Sequence, residues 1–120
     1  MKPTITETSA GTIIFRKRES LEFLLLKNLV YEWELCKGHL QTNNLEESAR
    51  IELFEETGLS GVIFPKGFLE KISYIKEFKN EISYKTVYFF IAEINGSVTL
   101  SNEHLEYCWK DLDGCLKLLL

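Results

Sequence analysis

The chain has 120 residues, 45% of them hydrophobic and 27% charged, the ordinary mix of a globular protein with one core, and it is expected to be one domain spanning 1–120. A formal net charge of −4 argues against an extended nucleic-acid surface, and no apolar run reaches the roughly 18 residues that a membrane span requires. Three cysteines, Cys36, Cys108 and Cys115, lack metal-ligand spacing and make an odd number. Reduced thiols in the cytoplasm are the simplest account, and the N-terminus lacks the apolar segment and cleavage site of a secretory signal.

Residues 1–8 are polar and read as a frayed lead-in. Gly11 to Phe15 is β-branched and predicts a strand, followed after the charged turn Arg16 to Ser20 by a second strand, Leu21 to Lys27. A connector, Asn28 to Glu32, leads to a short strand at Trp33 to Leu35 and then to the loop Lys37-Gly38-His39. There Gly38 permits close approach of backbone to a phosphate. Asn43 or Asn44 caps a helix from about Leu45 to Thr57, with Ala49, Leu53 and Phe54 predicted to face the core. Gly58 suits the left-handed position that ends a helix.

Beyond Gly61 and Pro65, Phe68 to Phe78 and Ile82 to Ile94 read as partner strands around a turn at Lys79-Asn80-Glu81. Asn95-Gly96 is a hairpin signal, with Val98 to Leu100 continuing the sheet. Asp111 caps a terminal helix that ends almost at once in the apolar run Leu116 to Leu120, which must pack on its own domain, a partner or a second copy. Strands on both sides of one central helix, with a second helix at the end, imply an α/β fold with a mixed sheet between helices.

The chemistry concentrates at the end of the central helix. Glu52, Glu55 and Glu56 are spaced so that they share a helix face. Like charges at this spacing cost about 0.2–0.5 kcal/mol per pair, and the negative end of the helix dipole adds to the penalty. A solvated acidic helix end is one account. A bound divalent cation is the other, because carboxylates are the hard oxygen ligands that Mg²⁺ or Mn²⁺ prefers.

The stretch WELCKGHLQTNNLEESARIELFEETGL, Trp33 to Leu59, resembles the Nudix box, Gly-x5-Glu-x7-Arg-Glu-U-x-Glu-Glu-x-Gly-U with U apolar. Trp33 followed by Lys37-Gly38-His39 looks like the opening of that box in the diadenosine tetraphosphate hydrolases. The order of GTIIF, EFLLLK, KTVYFFIAEI and SNEHLEYCW extends the likeness from about Ala10 to Trp109. The resemblance implies an α/β/α sandwich and a hydrolase of nucleoside polyphosphates. It also implies Mg²⁺ or Mn²⁺ held by Glu52, Glu55, Glu56 and Glu103, with Glu56 and Glu103 as catalytic carboxylates. By the same resemblance Lys37, Gly38 and Lys85 contact phosphate and Tyr74 stacks on a base. Outside it, Glu103 is a solvated loop residue, the lysines are solvated, Tyr74 is a sheet-face aromatic and His104 is a structural hydrogen-bonding residue.

Ile51 stands where the family has Arg, Asn43 or Asn44 where it has the first Glu, and the stretch from Gly38 to Gly58 is one residue short. A buried Arg and Glu pair can vanish together at little cost, whereas loss of one alone strands a charge. Arg50 is turned by roughly 100° from the missing position and is expected to pair with Glu46 instead. Cys36 replaces a proline, Tyr31 stands near an expected histidine, and the terminal helix is shortened. Two functions follow: a metal-dependent hydrolase, on a dinucleoside tetraphosphate-like substrate or an RNA 5′ end, or an impaired fold that binds a nucleotide or protein as a regulatory module.

Overall fold

In the computed structural model, which describes residues 1–120, the chain forms a seven-stranded mixed sheet and two helices. Strands β1 (Thr4–Lys17), β2 (Leu21–Asn28), β3 (Trp33–Glu34) and β4 (Cys36–His39) precede helix α1 (Leu45–Thr57). Strands β5 (Glu70–Glu77), β6 (Ile82–Glu93) and β7 (His104–Lys110) and helix α2 (Leu112–Leu119) follow it. The sheet runs β3-β2-β1-β6-β5, with β4 beside β1 and β7 beside β2.

The expected frayed lead-in is instead the start of the longest strand. Thr4 to Phe15 pairs parallel with Ile82 to Glu93, and Ile82 N–H donates to the Pro3 carbonyl at 2.9 Å. Thr4, Ile5, Thr6 and Thr8 are β-branched and suit a pleated, half-exposed surface, so polarity misrepresents a stretch whose shape favours strand.

The core joins Ala10 and Ile14 of β1, Leu24 and Leu26 of β2, Ala49 and Leu53 of α1, and Ala92 of β6. Leu25 is fully buried between two residues of that core, so the strand's period of two turns it to the opposite face, where α2 packs on β2. The two helices thus cover opposite faces of the sheet.

Asn44 caps α1 by accepting from Glu47 N–H at 2.8 Å, and Gly58 ends it at φ 74°. Phe54 does not join the core: it is 58% exposed, because one residue beyond Leu53 the helix has turned outward. Val98 to Leu100 does not continue the sheet either. Thr99 N–H donates to the Thr57 carbonyl at 2.8 Å, which closes the C-terminal end of α1, while Val98 and Leu100 pack on the core from outside. Asp111 caps α2, whose Cys115 is buried, whereas Leu116 and Leu120 stay exposed. No helix is long and apolar enough to cross a membrane.

Candidate active site

Strand β4 runs antiparallel to β1 and delivers Lys37, Gly38 and His39 alongside α1. A cleft of about 490 Å³ opens there, and its lining brings together every residue singled out from the sequence: Glu52, Glu55, Glu56, Glu103, Lys37, Gly38, Tyr74 and Lys85. Helical spacing supplies the three glutamates, the turn before β7 supplies Glu103, and paired positions on β5 and β6 supply Tyr74 and Lys85.

The carboxylates differ in surroundings. Glu56 is 5% exposed, and its Oε1 has no hydrogen-bond partner. Burial pushes its carboxyl up to about 8, with the charge of Glu52 adding to the effect and a hydrogen bond from Cys36 opposing it. Burial also raises Glu52, opposed by a hydrogen bond from Gln41 and reinforced by Glu55 and Glu103. The Gln41 amide donates to Glu52 Oε1 at 2.7 Å and lies 3.1 Å from Glu55 Oε1. Gly38 touches this group directly, since a Cβ there would fall on the Glu52 carboxylate. No three His, Cys, Asp or Glu side chains stand close enough together to make a ready-made ligand shell.

On the opposite wall, Lys85 Nζ donates to Glu7 Oε2 at 2.7 Å, and this bond holds the Glu7 carboxyl below its ordinary range. His104 is buried and its Nε2 lies 3.0 Å from Glu34 Oε1, the structural role expected of it. That contact ties the start of β7, and with it Glu103, to β3. Burial raises the Cys36 thiol well up, with Glu56 adding to the effect, so it stays protonated.

Residues 6–118 match the family model described as NUDIX domain. The chain belongs to that family. Its fold is similar to that of a Caenorhabditis elegans Ap4A hydrolase in a binary complex, with TM-score 0.78 and 25% identity over 94% of this chain and 85% of that one. A second structure of C. elegans Ap4A hydrolase gives 0.77 and 26% over 95% and 86%. The MutT protein from Methanosarcina mazei Go1 gives 0.73 and 26% over 97% and 83%. No curated protein matches the chain. The chain is a Nudix hydrolase, a pyrophosphohydrolase by fold and family.

The Nudix loop is held by a residue that sequence reading passed over. Ser48 is fully buried, and its Oγ accepts from Gln41 N–H and Thr42 N–H, both at 3.2 Å. Arg50 reaches Glu46 Oε2 at 3.4 Å as expected, but it also donates to the Val62 carbonyl at 2.6 Å and stacks on Phe64. Glu34, His39 and Gln41 line the cleft as well. Of these only His39 carried a signal, as the third residue of the Lys37-Gly38-His39 loop.

Proposed function

We propose that the cleft hydrolyses a pyrophosphate linkage of a nucleoside polyphosphate, of the dinucleoside tetraphosphate kind, with Mg²⁺ or Mn²⁺ held by Glu52, Glu55, Glu56 and Glu103. The observation that carries this reading is Glu56 Oε1, a buried oxygen without a partner, beside two further carboxylates in an open cleft. An orphaned buried carboxylate is costly unless something neutralises it. Hard oxygen donors fit the divalent cations that the family uses. When bound, such a cation supplies Lewis-acid stabilisation of phosphate oxygens and lowers the pKa of water.

The residues divide the remaining work. Glu103 accepts the proton of the attacking water as the new P–O bond forms and the bridging P–O bond breaks. Lys37 and Lys85 offset the charge that grows on the phosphates. Gly38 lets the backbone approach them. Tyr74, 40% exposed, offers a ring for a base. The products would be two nucleotides, such as a tri- and a monophosphate. Three unpaired cysteines support a reduced compartment such as the cytoplasm, and residues 1–120 act as one domain.

The rival reading, a nucleotide-binding regulatory module, is favoured by the Gln41 amide standing among the carboxylates. Phosphate release from diadenosine tetraphosphate with Mg²⁺ separates the two. Turnover that disappears in Glu56→Gln supports hydrolysis. Tight nucleotide binding without turnover by the unaltered protein overturns it.

A further inference from the structure

Strand β5 is an open edge of the sheet, and we propose that two copies of this chain associate through it, antiparallel, into one continuous sheet. All eight residues from Glu70 to Glu77 are exposed, and only β6 pairs with them. The outer row of N–H and C=O groups therefore faces solvent, a template for another strand. Natural edges are blunted by proline, by a bulge, by brevity or by charged side chains, lysine above all. β5 has only the charges: its register with β6 is unbroken from Glu70↔Phe89 to Glu77↔Ile82. Both faces carry apolar side chains, with Ile72 49% and Tyr74 40% exposed on one and Ile75 60% exposed on the other.

The pleat decides the register. Every second residue of β5 points its backbone groups outward, so two identical antiparallel strands can oppose only residues of the same parity. This excludes the register that would set Glu70 against Glu77 and Lys71 against Lys76. With Ser73 on the twofold axis, Glu70 faces Lys76 twice and Ile72 faces Tyr74 twice. Opposite charges and aromatic-to-β-branched pairs are the favourable cross-strand combinations. Glu70, Lys71 and Lys76 have no ion-pair partner within the chain, whereas Glu77 is engaged by Lys2 at 2.7 Å. The neighbouring permitted register, with Tyr74 on the axis, would have to draw on Glu77 for its charge pairs. The Ser73 register uses the free charges and leaves the Lys2 pair alone. Lys76, which would ordinarily repel a second strand, thus meets the carboxylate of Glu70, while Lys71 faces Ile75.

Because Tyr74 also lines the cleft, Ile72 of the second copy would brace the cleft's outer wall. The association stands independently of the cleft's chemistry. A strand pair buries less than the roughly 1,600 Å² of a standard interface, so the dimer is expected to depend on concentration.

The test is made on the full chain carrying Cys108→Ser, since Cys36 and Cys115 are buried. Facing residues lie about 4.5–5.5 Å apart between Cα atoms, within disulfide reach. Under mild oxidation Ser73→Cys should give a disulfide-linked dimer, and Tyr74→Cys much less. In sedimentation velocity, Glu70→Lys should weaken dimerisation about tenfold, and adding Lys76→Glu should restore it. A chain that stays monomeric up to millimolar concentration overturns the proposal. So does cross-linking that favours position 74, or a charge reversal that the double variant fails to rescue.

Discussion

The Gln41 amide donates to Glu52 Oε1 at 2.7 Å and lies 3.1 and 3.4 Å from the two oxygens of Glu55. An uncharged donor thus occupies the space between carboxylates that a divalent cation would need. In the metal-free protein it offsets the repulsion that helical spacing forces on them, and a cation must displace it. Gln41→Ala should therefore lower metal-free stability by about 1 kcal/mol and tighten Mn²⁺ binding about fivefold. Calorimetric titration with Mn²⁺ reads both the affinity and its direction. Weaker binding in the variant would make the amide a support for the cation instead of a competitor.

Gly38 and Glu52 set a second expectation. The carboxylate lies where a Cβ at position 38 would be, so Gly38→Ala must push Glu52 aside or move β4. Overpacking of this kind costs about 1–3 kcal/mol, and a carboxylate displaced by about 1 Å can lose on the order of a hundredfold in rate. Turnover should fall by that order while circular dichroism still reports a folded chain. Retained kcat would mean that Glu52 is dispensable to the chemistry.

The sequence located α1, its cap at Asn43 or Asn44, the Gly58 terminus and the glutamate cluster, because these rest on local rules: capping, left-handed glycine and helical spacing. It did not yield β1 before Gly11, since parallel pairing with β6 is a contact across some eighty positions that polarity conceals. Ile51, and Asn43 or Asn44 at the first Glu position, left the box without the Arg and Glu pair that the family has. Ser48 instead satisfies two loop N–H groups from inside the helix, a role invisible in a residue type that is common on surfaces. Ser48→Ala would remove the acceptor from those part-buried donors at about 1 kcal/mol. Thermal melting should show that loss, together with faster amide exchange at Gln41 and Thr42. Unchanged exchange there would return the loop's geometry to some other support.

Glu56 ties stability to pH. Burial raises its carboxyl to about 8 in the folded chain, against an ordinary 4.5. Its neutral form is shared by folded and unfolded chains below 4.5, so its contribution is fully present there. As pH rises through that value the unfolded chain releases the proton and the folded chain keeps it, so stability falls until about pH 8. In chelator, the free energy of unfolding should decline across this window by an amount on the order of a few kcal/mol, seen as a falling melting temperature, and Glu56→Gln should flatten the slope. Saturating Mn²⁺ should reverse the trend, because a cation stabilises the ionised form. A chelated protein whose stability is level from pH 5 to 8 would place the carboxyl's proton elsewhere.

Lys85 and Glu7 form the last pair with a measurable consequence. Their 2.7 Å contact spans β6 and β1 at the cleft wall, and His39 Nε2 lies 3.9 Å from the same Glu7 oxygen. A polyphosphate approaching Lys85 must compete with Glu7 for the ammonium. The pair is partly exposed, so solvent and salt weaken the contact without abolishing it. Removing the competitor with Glu7→Gln should therefore lower KM for a nucleoside polyphosphate about threefold to fivefold, and raised ionic strength should shrink the gain. Lys85→Met should raise KM without changing the metal dependence of kcat. If Glu7→Gln raises KM instead, Glu7 acts by holding Lys85 in place, and the lysine reaches phosphate only while its carboxylate partner positions it.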